Sequence, residues 1–192
     1  MSVLDAAERM HRVHDLGRAI RRRVAGDIAS FPEPAQIFVN LHPHDLLDDQ
    51  LVLGDCPLTE HSRRVVLEIT ERATLEGVRD IRARVAALRG LGYRIALDDL
   101  GAGYAGLTSF AHLEPDIVKI DRSLVENIGS DRTKQKLLGS LAQLCGQLDM
   151  RVICEGIETR EERDTLITLE CDLLQGYLFA RPERIPTPPI TW

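Results

Sequence analysis

The chain has 192 residues, enough for one domain with a substantial core, and carries 24 basic against 30 acidic side chains for a net charge of −6. That balance excludes a broad basic surface of the kind that grips DNA, though not a small anionic ligand whose charge a bound cation offsets. The four cysteines, Cys56, Cys145, Cys154 and Cys171, are scattered without a C-x-x-C pair, which argues against a disulfide framework or a zinc site and fits a reducing compartment.

Charges interrupt the N-terminal segment where a signal peptide has its apolar region, and no run approaches the ~18 apolar residues of a membrane span. The expectation is a soluble, cytoplasmic protein with no membrane or DNA partner. In chain order, residues 3–25 read as a helix, with Leu4, Ala7, Met10, Val13, Leu16 and Ile20 at helical spacing and Arg21–Arg23 as its solvated end. A Pro-rich connector leads to an apolar strand, Ile37–Leu41, then to an irregular acidic stretch over 42–62. Val65–Thr70 is a second strand, Glu76–Arg89 an amphipathic helix stopped by Gly90 and Gly92, and Arg94–Asp99 a third strand. Asp116–Asp121 is the fourth. Arg132–Leu148 is a helix with Leu137, Leu138, Leu141, Leu144 and Leu148 on its apolar face. Arg151–Gly156 is the fifth strand, Thr159 opens a helix with Glu162 placed for a capping box, and Cys171–Gln175 is a short sixth strand.

Alternating strands and helices predict an α/β fold with a parallel sheet and helices outside. Polar residues decide between an open sheet and a barrel. Asn40, Glu68, Asp98, Asp99, Lys119, Glu155 and Gln175 each stand at or near a strand end, and every strand contributes. That is the pattern of a TIM-like barrel with its site at the C-terminal mouth, here incomplete, with six strands where eight and ~250 residues are typical.

Glu68, Asp98, Asp99 and Glu155 are hard oxygen ligands and Asn40 adds a neutral carbonyl, a set suited to Mg²⁺ or Mn²⁺. Four crowded carboxylates repel one another unless cations are bound. Two metal ions could bridge a phosphodiester, polarise it and activate water. Lys119 could orient that water or neutralise developing charge, and Gln175 could hydrogen-bond a base or sugar. Read singly, each of these is an ordinary turn cap or strand-end charge; together at successive strand ends they point to a site.

Gly101–Gly106 spells G-x-G-x-x-G after a strand, with Asp121 about 20 residues on, as in dinucleotide-binding folds. We set that reading aside because Asp98 and Asp99 would repel a pyrophosphate and Pro115 leaves little room for a crossover helix. His42 and His44 form an H-x-H pair, and His11 and His14 lie one helical turn apart; each pair by itself reads as solvated surface.

Six segments, VNLHP (Val39–Pro43), LEITE (Leu67–Glu71), ALDDLGAGYAGL (Ala96–Leu107), PDIVKID (Pro115–Asp121), CEGIET (Cys154–Thr159) and CDLLQGYLFARP (Cys171–Pro182), together resemble the EAL domain family of bacterial cyclic di-GMP phosphodiesterases. The resemblance implies metal-dependent attack of water on cyclic di-GMP, giving the linear dinucleotide. It implies Asn40, Glu68, Asp98, Asp99 and Glu155 as ligands of a two-metal Mg²⁺ or Mn²⁺ site and Lys119 as the residue holding the water. It further implies Gln175 and Glu158 beside the bound nucleotide, and Glu71 steadying the acidic-pair loop. The family's Glu-Ala-Leu strand, with its metal-binding glutamate and a phosphate-contacting arginine, has no counterpart here. Residues 1–183 are expected to form the barrel domain without its first two strands, and 184–192 a tail. Two functions stay open: the phosphodiesterase, and a non-catalytic EAL module that binds nucleotide or a signalling partner. Unpaired edges at the first and last strands invite a homodimer or domain-swapped assembly.

Overall fold

The computed structural model describes residues 2–70, 78–102, 106–171 and 173–183. Six strands form one sheet: β1 (Ile37–Asn40), β2 (Val65–Thr70), β3 (Arg94–Leu100), β4 (Ile117–Ile120), β5 (Arg151–Cys154) and β6 (Leu173–Leu174). They lie side by side in chain order, and every neighbouring pair is parallel. Spatial order equal to chain order is the winding of a barrel, with no switch point, and the sheet curls into a half-barrel.

The central strands β2, β3 and β4 are buried on both faces over most of their length, which is why they read as apolar runs rather than alternating ones, whereas β1, β5 and β6 are only partly covered. The outward residues Val65, Leu67 and Ile69 of β2, Ile95 and Leu97 of β3, and Val118 and Ile120 of β4 belong to the large core. Helices cover that face. Val85 and Leu88 come from α4 (Ile81–Gly90), Leu138 and Cys145 from α7 (Arg132–Gln147), and Leu166 from α8 (Arg160–Thr168). The inward residues Val66, Ala96, Ile117 and Ile153 form a second, smaller cluster with Leu173 against it. Each large aliphatic side chain buried this way contributes about 1.5–3 kcal/mol.

The remaining helices are α1 (Val3–Arg9), α2 (Val13–Asp27), α3 (Asp49–Val52), α5 (Gly106–Leu113) and α6 (Arg122–Val125). The single helix expected over 3–25 is two. A capping box between Ser2 and Asp5 starts α1, and His11, in left-handed backbone at φ +54°, ends it before α2 begins. The acidic stretch 42–62 is built of short helical turns. It also corrects the reading of Arg21 as a solvated helix end. Arg21 is 2% exposed and meets Asp48 at 2.5 Å and Asp45 at 3.2 Å, fastening α2 to that stretch. On α7 the expected five-leucine face is narrower: Leu138 is buried, whereas Leu137, Leu144 and Leu148 are exposed. The capping box of Thr159 and Glu162 opens α8 as expected.

Candidate active site

A period of two carries the apolar floor of the curl up into its mouth. Two residues beyond Val66, Ala96, Ile117, Ile153 and Leu173 stand Glu68, Asp98, Lys119, Glu155 and Gln175, which alternation returns to the same face. Asn40 is the register partner of Glu68 across β1 and β2, and it is exposed at the sheet edge.

Adjacent carboxylates on a regular strand would point to opposite faces. The β3–β4 pairing avoids this. It runs from Leu97 opposite Val118 to Leu100 opposite Ile120, so that Asp98 and Asp99 together face the one residue Lys119. Such a bulge re-aims side chains. Asp99 takes left-handed backbone, φ +61°, which aspartate tolerates better than most residues. Oxygens of Asp98, Asp99 and Glu155 consequently lie within 4.8 Å of one another.

Lys119 reaches across three strands from below this group. Its Nζ is 2.6 Å from Glu68 Oε1, 2.8 Å from Glu155 Oε1 and 2.9 Å from Asp98 Oδ1, with the side chain 8% exposed. Burial alone would pull its pKa down. The charged contacts with Glu155, Glu68 and Asp98 outweigh that and hold it above the usual lysine range. Burial raises the pKa of Glu68 and of Glu155, with the Lys119 bond opposing the shift in each.

The geometry fits a hard divalent cation. Asp98 Oδ1 is buried, and although close to Lys119 it has no hydrogen-bond donor aligned on it. One ammonium stands against four carboxylates, and every candidate donor is oxygen, a set for Mg²⁺, Mn²⁺ or Ca²⁺ rather than zinc. Asn40, Glu68, Asp98, Asp99 and Glu155 are the residues that could hold it.

Beside the mouth lies a cleft of about 300 Å³ whose wall includes Asp121, Arg122, Glu158, Gln175 and Tyr177. Glu158 and Gln175, expected beside a nucleotide, are exposed on this wall rather than among the central carboxylates. Glu158 accepts an ion pair from Arg122 at 2.7 Å. Gln175 is fixed through its backbone, its carbonyl accepting the Ile157 N–H at 3.1 Å. Gly176 permits this close approach, since a Cβ there would overlap the Ile157 backbone. Arg122 and Tyr177, whose ring lies 4.5 Å under the Arg181 guanidinium, escaped the sequence reading. Their only signal is position, directly after a strand-end aspartate and two residues after Gln175. Glu71 and the loop residues Gly103, Tyr104 and Ala105 lie outside the described residues.

Residues 2–182 match the EAL domain family. The cyclic di-GMP phosphodiesterase RocR of Pseudomonas aeruginosa is 32% identical over 170 residues, 86% of this chain and 42% of that protein. The fold superposes on Klebsiella pneumoniae BlrP1 in its manganese/cy-diGMP complex with a TM-score of 0.83 at 30% identity, covering 94% of this chain and 48% of that one. A calcium/cy-diGMP complex of the same protein matches at 0.76 and 30% identity, covering 92% and 45%. A standalone EAL protein from Vibrio cholerae O395, bound to c-di-GMP, matches at 0.82 and 25% identity, covering 99% of this chain and 83% of that one. The chain spans between 23% and 42% of the length of the first curated relatives it matches. Among the described residues no helix is long and apolar enough to cross a membrane.

Proposed function

The chain belongs to the EAL domain family, and from that membership we propose that it hydrolyses one phosphodiester of cyclic di-GMP to give the linear dinucleotide. The observation that carries the reading is the convergence of Asp98, Asp99 and Glu155 oxygens within 4.8 Å at a mouth otherwise lined by Glu68 and Lys119.

Asn40, Glu68, Asp98, Asp99 and Glu155 would hold Mg²⁺ or Mn²⁺, a reading supported by the bulge at Asp98 and Asp99 and by the closeness of both to Glu155. A divalent ion at such a site polarises the phosphodiester and makes water a nucleophile near neutral pH. Lys119, held by ion pairs to Glu68, Asp98 and Glu155 at 2.6–2.9 Å, orients the attacking water and offsets charge developing on phosphate. Gln175, Glu158, Arg122 and Tyr177 form the nucleotide wall, the arginine toward phosphate and the ring toward a base. β1 and β6 each have a single strand neighbour among the described residues, an edge chemistry that favours a homodimer; a monomeric mass by light scattering would overturn that part.

The test is incubation of the chain with cyclic di-GMP and Mn²⁺ or Mg²⁺, with chromatographic separation of products. Linear dinucleotide from the native chain, and none from Asp99→Asn, is the expected result. Nucleotide binding by calorimetry with no linear product from the folded chain overturns the catalytic reading in favour of a binding module.

A further inference from the structure

The short helix α6 (Arg122–Val125) follows β4 and supplies no carboxylate to the mouth, yet it touches the backbone on both sides of the carboxylates. Two glycines make room for it. Gly101 stands two residues after Asp99, and Gly156 directly after Glu155. Both take left-handed backbone, at φ +108° and +73°. A Cβ on Gly101 would lie 2.4 Å from Leu124 Cδ1 and 2.8 Å from Leu124 Cγ. A Cβ on Gly156 would lie 2.6 Å from Arg122 Cβ and 2.7 Å from Arg122 Cγ. Leu124 therefore rests on the turn that leaves the acidic pair, and the aliphatic stem of Arg122 on the turn that leaves Glu155. An arginine stem packs as an apolar group while its head stays in water; here the half-exposed head pairs with Glu158 at 2.7 Å.

The helix is itself held firmly. Val125 and, just beyond it, Ile128 are buried in the large core. At its start the Asp121 carboxylate accepts the Ser123 N–H at 2.9 Å. From α7, Lys134 Nζ donates to the carbonyls of Ser123 and Glu126, each at 2.7 Å. The acidic pair and Glu155 belong to strands that are not neighbours, since β4 lies between β3 and β5. Asp99 sits in the bulge and Glu155 just past the end of β5, where the ladder alone no longer sets the direction of a side chain. Contacts on the turns that follow them can.

We propose that Leu124 and the stem of Arg122 are positioning residues for the cation site: resting on Gly101 and Gly156, they hold the Asp99 and Glu155 carboxylates at the separation a divalent ion requires. The inference rests on the reading of Asp98, Asp99 and Glu155 as cation ligands. Mg²⁺ demands near-ideal octahedral geometry, so a carboxylate that drifts with its turn costs affinity. Arg122 thereby acts through its two ends, the stem on the turn after Glu155 and the guanidinium at the nucleotide wall.

Calorimetric titration of the full chain with Mn²⁺, without nucleotide, reads the cation site directly. Arg122→Ala and Leu124→Ala are each expected to weaken Mn²⁺ binding by ~10–100-fold, the loss typical when an outer partner of a metal ligand is removed. Arg122→Met keeps the stem and drops the charge, and Leu124→Met keeps the volume; both are expected to retain the native affinity. Urea midpoints establish that each variant is folded during the titration. Native affinity in a folded alanine variant overturns the role of that residue. Equal weakening in Arg122→Met and Arg122→Ala overturns the role of the stem and assigns the effect to charge. Should Leu124→Ala not fold, Arg122→Ala decides, because its side chain is half-exposed. A native chain that binds no Mn²⁺ overturns the cation reading and this proposal with it. Hydrolysis does not enter, so a chain that binds Mn²⁺ without turning over cyclic di-GMP is still decided by the affinities.

Discussion

Asp98 and Lys119 face each other at the register shift between β3 and β4, with Asp98 Oδ1 2.9 Å from Lys119 Nζ. The same ammonium bonds Glu68 on β2 and Glu155 just past β5, so one buried cation ties the rims of four successive strands. Its removal leaves three carboxylates facing one another with nothing between them. Breaking a buried ion pair from one side costs about 3–5 kcal/mol. Lys119→Ala should lose stability of that order in chelator, read as a lowered urea midpoint, and should regain part of it in Mn²⁺, which replaces the missing charge. A variant as stable as the native chain in chelator would show that the ammonium does not hold the mouth together.

Asp99 separates backbone from chemistry. Its left-handed φ of +61° suits Asn nearly as well as Asp and disfavours a β-branched side chain by about 1–3 kcal/mol. Asp99→Asn should therefore unfold at nearly the native urea concentration, and Asp99→Val well below it. Both should lose cyclic di-GMP hydrolysis by more than ~10–100-fold, since each removes the charge of a proposed metal ligand. Equal stability of the two variants would mean that the bulge imposes no conformational demand.

Much of this was legible before the fold. Val65–Thr70 reads as a strand because a parallel strand buried on both faces has no polar alternation. Thr159 and Glu162 announce α8 because a capping box is a local contact. What escaped depends on partners distant in sequence or on backbone. Arg21 looks like any helix-end arginine until Asp45 and Asp48, in a stretch that reads as irregular, close on it. Nothing in the composition marks His11 as the left-handed residue that splits the first helix. The acidic pair was read as a site, but the device that aims both carboxylates the same way is a bulge visible only in the pairing with β4.

The Arg21 clamp yields a contrast between neighbours. Arg21 is buried against Asp48 and Asp45, whereas Arg18, 38% exposed, donates to Asp48 from the rim. Arg21→Ala removes the one buried cation between Asp45 and Asp48, leaving Asp45 with His14 and Asp48 with the rim arginine, and should cost about 3–5 kcal/mol. Arg18→Ala leaves Asp48 paired with Arg21 and should cost clearly less, because solvent screens the attraction of an exposed arginine. Urea unfolding of the two variants at pH 7 compares them. Similar losses would mean that α2 is not fastened through the buried arginine.

Glu162 offers the pH test. One oxygen accepts the Asn127 N–H at 3.1 Å, and the other accepts the N–H groups of Glu158 and Thr159 at 3.0 Å. Burial would raise its pKa, but the backbone donors of Glu158, Asn127 and Thr159 outweigh burial and hold it below the ordinary value of 4.5. A carboxyl depressed on folding contributes stability fully above its unfolded pKa, and that stability is lost as pH falls through the lower, folded value. Glu162→Gln turns an amide donor toward backbone donors and removes the charge, a loss of about 1.5–3 kcal/mol at pH 7. The gap between native and variant urea midpoints should be constant from pH 7 down to about 4.5 and shrink below it, where the native carboxylate takes up its proton. Because this side chain fixes the segment following Glu155 that carries Glu158, hydrolysis at pH 7 should fall as well. A gap that stays open under strongly acid conditions would assign the stabilisation to packing at the start of α8 instead of to the ionised cap.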